Sequence, residues 1–395
     1  MVPDPFRLDS ESRLFLHLLR GAPPPDGPAV RHLDWRRFLL RASGGRVLYA
    51  VARTLRDEAP ALVPPPVKPT LARIVDEGDH RRLQLQRTLE HIRRRLDGRF
   101  PYLVAKTARP YPYITFDVDL LVLPEDYNAV ARCLTEGGGR MQAYAPKKQH
   151  DLLVPGLLRI DLHHDFCWQG SHFVDAEFVW SESTTTIIED IPSPTPNATV
   201  EWALVALNLL YERTYLPWLD YLALQAWEQR GSPRAVSTEE NNGAPLPALA
   251  QAGGPSPQAG IEGGVHHAMI SSQARLHGWI EGLSLLRSLL HAVTAACALA
   301  WPSDAASTPS PRRVPSPAGG DRSILAAQPG YACLPLIFSA SMIARLYAEG
   351  WRRRRSLPCH DLAYAAFAKA RYHLTRGQRF PIYGHWFDLG EVPCR

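Results

Sequence analysis

The segment Ile114-Thr-Phe-Asp-Val-Asp-Leu-Leu-Val-Leu123 decides the fold. Its β-branched and apolar density predicts a central strand, because such side chains pack well on a pleated surface. Asp117 and Asp119 interrupt it two positions apart, so both project from one face while Val118 and Leu120 point to the other. Two carboxylates held side by side repel unless cations lie between them, and hard oxygen ligands suit Mg²⁺. A pair of turn or cap aspartates has the same spacing, so the pair alone leaves both readings open.

Working downstream, Pro124-Glu125-Asp126 reads as a helix start, with acids where the helix dipole favours them. The helix is expected over Tyr127 to Glu136 and ends at Gly137-Gly138-Gly139. A hairpin follows, with Gln149 to Val154 and Leu157 to His163 as arms and Pro155-Gly156 as a two-residue loop. Counting outward from that loop, Val154 pairs with Leu157, His150 falls opposite Asp161, and Lys148 opposite His163. Directly opposed residues share a face, so Lys148, His150, Asp161 and His163 are expected together. With the hairpin beside the Asp117 strand, Asp161 becomes a third carboxylate near the first two. A His–Asp hydrogen-bonded pair on a solvated face is the other reading. His163 and His164, being adjacent on a strand, cannot both serve one zinc ion without a bulge.

Outside this centre the pattern is helical. Val47 to Leu55 carries an apolar stripe, and Thr70 to Leu96 reads as a long charged helix whose arginines form a solvated face. Thr199 to Leu210 and Tyr215 to Trp227 are also expected to be helices. The chain therefore divides into an N-terminal helical region (1–100), a central core (101–190) and a C-terminal helical region (191–395). Pro/Gly/Ser-rich linkers are expected at 231–264 and 302–320, where too little apolar surface is available to order the chain. Arg352 to Arg355 reads as a solvated helix end, and Arg379-Phe-Pro-Ile-Tyr-Gly-His-Trp386 as a packing segment.

The 395 residues are 45% apolar and 21% charged, which excludes a wholly disordered or fibrous chain. A net charge of +5 is too small to identify a nucleic-acid binder. The six cysteines have no C-x-x-C spacing, and the start of the chain has no secretory pattern, so a cytoplasmic location with reduced thiols is expected. The most membrane-like stretch, Leu283 to Trp301, contains Arg287 and His291 and reads as a buried or amphipathic helix. No phosphate-binding Gly-rich loop, nucleophile elbow or dinucleotide fingerprint is present.

Phe116-Asp-Val-Asp-Leu-Leu-Val122, then a helix, His150, and Arg159-Ile-Asp-Leu-His163 together resemble the DNA polymerase beta-type nucleotidyltransferase superfamily. More closely, they are similar to its poorly characterised bacterial and archaeal branch. The resemblance spans about Tyr102 to Phe166, with weaker helical similarity on either side. It implies an α+β fold, a small mixed sheet flanked by N- and C-terminal helical regions. It also implies an Mg²⁺-dependent (or Mn²⁺-dependent) enzyme that moves a nucleoside monophosphate from an NTP, such as ATP, to a hydroxyl or amine and releases pyrophosphate. The acceptor would be a small molecule, a protein or tRNA, with no membrane partner.

On that resemblance Asp117 and Asp119 are metal ligands, and Asp161 is the third carboxylate, as ligand or general base. Lys106 matches an upstream lysine that meets a phosphate, and Lys148, His150 and His163 line the nucleotide site. The superfamily's usual Gly-Ser or Gly-Gly turn is replaced by Lys106-Thr-Ala-Arg-Pro-Tyr-Pro-Tyr113. Thr107 and Arg109 are then the substitutes, a hydroxyl and a guanidinium in place of bare backbone. The alternative is a catalytically reduced module of the same fold that binds a nucleotide or a partner.

Overall fold

The strand read from Ile114 to Leu123 forms as β2, Asp117–Val122. In the computed structural model, residues 33–109, 112–144, 149–168, 171–213, 216–230 and 264–299 are described, with 14, 15 and 17–19 before them. Lys148, both expected linkers apart from Gly264, Arg352–Arg355 and Arg379–Trp386 lie outside the described residues.

Helices α1 (Trp35–Gly44) and α2 (Leu48–Asp57) lead through two short 3₁₀ turns into α3 (Lys68–Leu96), which is 29 residues long. Asp34 caps α1 by accepting the Arg37 N–H at 3.0 Å. β1 (Tyr102–Ala105) and β2 are antiparallel, and α4 (Tyr127–Thr135) follows β2. α4 stops where expected, at Gly137 and Gly138, whose φ values of 95° and 118° suit glycine alone. β3 (Arg140–Tyr144), β4 (Gln149–Leu153) and β5 (Arg159–His163) complete a five-stranded sheet in the order β1-β2-β5-β4-β3. Only β2 and β5 are parallel, so the sheet is mixed and the fold is α+β.

β4 and β5 pair one residue away from the expected register. His150 lies opposite Leu162, and Asp151, not His150, lies opposite Asp161. The cause is the turn. Gly156 takes φ 78° and the Leu157 N–H returns to the Val154 carbonyl, so Pro155-Gly156 forms a Pro-Gly β-turn whose twist does not match the strands. Leu158 then leaves the ladder, its N–H donating to Thr88 Oγ1 of α3 at 2.9 Å. A slip of one residue moves every side chain of a strand to the other face.

Two short strands, β6 (Cys167–Trp168) and β7 (Ser171–His172), precede α5 (Ala176–Ser181). A second hairpin, β8 (Ser183–Ile188) and β9 (Ile191–Pro196), packs β9 against β1. Then come α6 (Ala198–Leu207), which continues as a π-helical turn over Asn208–Arg213, α7 (Trp218–Arg230), α8 (His267–Leu276) and α9 (Ile280–Leu299). A continuous buried apolar cluster runs from Leu14 through Val118, Leu120 and Ile160 to Val293. None of the described helices is long and apolar enough to cross a membrane.

Candidate active site

The parallel pairing of β2 and β5 sets Asp119 directly against Asp161 and Leu121 against His163. Side chains at alternate positions share a face, so Asp117, Asp119, Asp161 and His163 emerge on one side of the sheet. On the other side Val118, Leu120, Ile160 and Leu162 are fully buried. The antiparallel register of β4 adds Asp151 beside Asp161. Four carboxylates thus gather on three neighbouring strands.

Two cations balance them. Lys106, just past the end of β1, places Nζ 2.7 Å from Asp119 Oδ1. Arg159, at the start of β5, donates from Nη2 to Asp117 Oδ2 at 2.7 Å and to Asp161 Oδ2 at 3.3 Å. Its Nε is 2.7 Å from Asp161 Oδ1, and its Nη1 is 3.8 Å from Asp151 Oδ2. Burial opposes the Arg159 charge, but Asp161, Asp117 and Asp151 raise its pKa well above the ordinary value. Burial, with the nearby charges of Asp119 and Asp117, pushes the Asp161 carboxyl up to about 7 against the pull of Arg159.

His163 Nε2 lies 3.1 Å from the same Asp119 oxygen that meets Lys106, and the imidazole lies tilted against Phe166 with ring centroids 5.5 Å apart. Asp119, Asp161 and His163 have ligand atoms all within 4.8 Å of one another. Asp161 Oδ1 is buried and makes no hydrogen bond, although Arg159 Nε lies 2.7 Å from it as an ion-pair partner. Two carboxylates and an imidazole, with one carboxylate oxygen buried and not hydrogen-bonded, form a set that fits a divalent cation.

Lys106 takes φ 56°, the left-handed backbone conformation that glycine adopts most easily. A lysine thus holds, at the end of β1, a backbone shape that most side chains avoid. Its N–H donates to both oxygens of the Glu201 carboxylate, at 2.8 and 3.1 Å. Glu201 is in the first turn of α6, fully buried, and burial pushes its carboxyl up to about 7 despite the nearby Arg109 and Lys106.

The other expected site residues are placed differently. Thr107 is 2% exposed, and its hydroxyl donates to the Ala105 carbonyl at 3.0 Å. Arg109 turns toward α7, with Nη2 3.4 Å from Asp220 and the guanidinium over the Trp227 ring. His150, expected opposite Asp161, instead faces α4, where its ring lies 5.0 Å from that of Tyr127. His164 flanks Tyr127 as well, on the face away from His163.

Three contributors were not read from the sequence. Asp151 was hidden by the register slip. Arg159 had a usable signal, since it lies two positions from Asp161 on the same strand and therefore on the same face. Glu201 had a weaker one, a single acid inside the apolar run Thr199-Val-Glu-Trp-Ala-Leu-Val-Ala-Leu207.

Residues 31–219 match the model of a family described as an uncharacterised nucleotidyltransferase. That span contains every element of the five-stranded sheet and the helices α1 to α6. No curated protein and no solved structure gives a significant match to the chain.

Proposed function

We propose that this chain, whose residues 31–219 match the model of an uncharacterised nucleotidyltransferase family, is a metal-dependent enzyme that moves a nucleoside monophosphate from an NTP to a hydroxyl or amine, with release of pyrophosphate. The observation that carries this reading is the direct pairing of Asp119 with Asp161 across parallel strands, with Asp117 on the same face. Asp117, Asp119 and Asp161 would hold the metal, Mg²⁺ or Mn²⁺, with His163 either joining them or orienting Asp119. A divalent cation held there would supply charge neutralisation for displacement at the α-phosphate.

The chain's own residues divide the remaining work. Asp161, buried on the acidic face directly opposite Asp119, is the carboxylate suited by position to take the proton from the acceptor hydroxyl. Lys106 is suited to meet a phosphate oxygen, since its Nζ already stands beside Asp119 and its backbone is fixed by Glu201. Burial of Asp161 and His163, each 3% exposed, keeps water from the inner side of the site.

The reading is tested by label transfer. The protein is incubated with Mg²⁺ and each NTP labelled at the α-phosphate, in turn with a protein extract, a tRNA pool and a small-metabolite pool. Label should move to one of these pools with wild type and not with Asp119→Asn or Asp161→Asn. NTP binding without transfer to any pool would replace the transferase with a binding-only module.

A further inference from the structure

Arg159 leaves its strand on the carboxylate face, and its guanidinium reaches acids on three adjacent strands. Asp117 of β2 and Asp161 of β5 are each 2.7 Å from it, and Asp151 of β4 is 3.8 Å away. One cation standing among three carboxylates fills the electrostatic role that a divalent ion would take there. It cannot stay unchanged once such an ion arrives, because both would claim the same oxygens of Asp117 and Asp161. Nor is the side chain trapped, since 41% of it is exposed.

We propose that Arg159 is an exchangeable counter-ion: it neutralises the carboxylates before metal binds and, when displaced, turns to the triphosphate of the bound nucleotide. The inference rests on the transferase reading above. A guanidinium fork matches carboxylate and phosphate oxygens with the same bidentate geometry, so the residue exchanges one anionic partner for another. No second lysine or arginine reaches Asp117 or Asp161 among the contacts of the described residues, so Arg159 is the cation whose departure exposes those two acids.

The consequence is a coupling between two ligands. Metal alone must compete with Arg159, whereas metal with a triphosphate gives Arg159 somewhere to go. By reciprocity the nucleotide gains affinity from the metal by the same factor.

The test is Mn²⁺ binding to the full chain without nucleotide, read from the paramagnetic resonance signal of free Mn²⁺. Wild type is compared with Arg159→Gln and Arg159→Lys, each checked for a cooperative melting transition. Arg159→Gln should bind Mn²⁺ about tenfold more tightly than wild type, with Arg159→Lys in between. In the same variants a non-hydrolysable NTP analogue with Mg²⁺ should bind more weakly than to wild type. Unchanged or weaker Mn²⁺ binding by folded Arg159→Gln would overturn the proposal, leaving Arg159 as a brace for the carboxylates. If Arg159→Gln does not fold, Arg159→Lys decides on the same criterion. If neither wild type nor variants bind Mn²⁺, with or without the analogue, the transferase reading falls together with this inference.

Discussion

The backbone N–H of Lys106 donates to the carboxylate of Glu201, 95 positions further along the chain, and this contact fixes the left-handed turn that brings the Lys106 amine to Asp119. It ties the end of β1 to the first turn of α6, so an element outside the sheet shapes the entrance to the site. Glu201→Ala removes the acceptor and leaves a buried N–H unpaired, which should lower stability by about 1–3 kcal/mol in urea unfolding. Lys106→Gly should separate the two roles of Lys106. Relief of the positive φ, worth up to about 1 kcal/mol, is then set against loss of the Asp119 ion pair, so Lys106→Gly should lose less stability than Lys106→Ala, while NTP binding falls in both because the amine is gone.

The Glu201 carboxyl also predicts how stability changes with pH. Its folded-state pKa of about 7 lies above the ordinary 4.5, so between those values the folded chain binds more protons than the unfolded one. Stability therefore falls as pH rises through that window and levels off above it. Asp161, also raised to about 7, contributes with the same sign. Between about pH 5 and pH 8 Glu201 alone should account for a loss on the order of 1–3 kcal/mol, so Glu201→Gln should lose visibly less than wild type. A wild type whose stability rises over that interval would contradict the assigned environment of Glu201.

Thr88 governs the register that brings Asp151, and not His150, to the acidic face. Its hydroxyl accepts the Leu158 N–H at 2.9 Å and donates to the Gln84 carbonyl at 2.7 Å. Thr88→Val keeps the shape but leaves the Leu158 donor buried and unpaired. The expected cost is about 1–3 kcal/mol in chemical denaturation. Thr88→Ser, which keeps the hydroxyl, should cost clearly less.

Gly78 lies inside α3 because the Tyr49 ring occupies the space a Cβ would need. Tyr49 cannot move aside without cost, since its hydroxyl donates to Asp79 at 2.6 Å and accepts from Arg82 at 3.3 Å. In an open helix Gly→Ala stabilises by up to about 1 kcal/mol. Here overpacking should reverse the sign, with a loss of about 1–3 kcal/mol. Differential scanning calorimetry of Gly78→Ala checks it, and pairing with Tyr49→Leu should recover part of the loss.

Much of the central sheet was legible from Asp117 to His163, because local chemistry and periodicity agree there. β2 reads as a strand from its β-branched core, α4 from its acidic start and glycine stop, and the shared face of Asp117, Asp119 and Asp161 follows from period-two geometry. The register of β4 did not follow, because loop length alone does not distinguish a two-residue hairpin loop from a Pro-Gly turn whose neighbour Leu158 is drawn off to Thr88. The β8–β9 hairpin was unread because Pro192, Pro194 and Pro196 argue against a strand. The ladder tolerates them because β8 pairs with β9 on one side and β1 only packs against it on the other. Glu201 stood out only as an acid inside an apolar run, and nothing local linked α6 to the end of β1.

The measurement that bears most directly on the central claim is a thermal-shift titration of the full chain with each of the four NTPs, with and without Mg²⁺. It compares wild type with Asp117→Ala/Asp119→Ala. A ligand that binds only the folded state stabilises it by about 2.7 kcal/mol at a hundred times its dissociation constant. The acidic face described here predicts a rise in melting temperature that requires both Mg²⁺ and the two aspartates, and its size ranks the bases. A well-folded wild type that shows no shift with any NTP, or the same shift without Mg²⁺ and in the double variant, would contradict it.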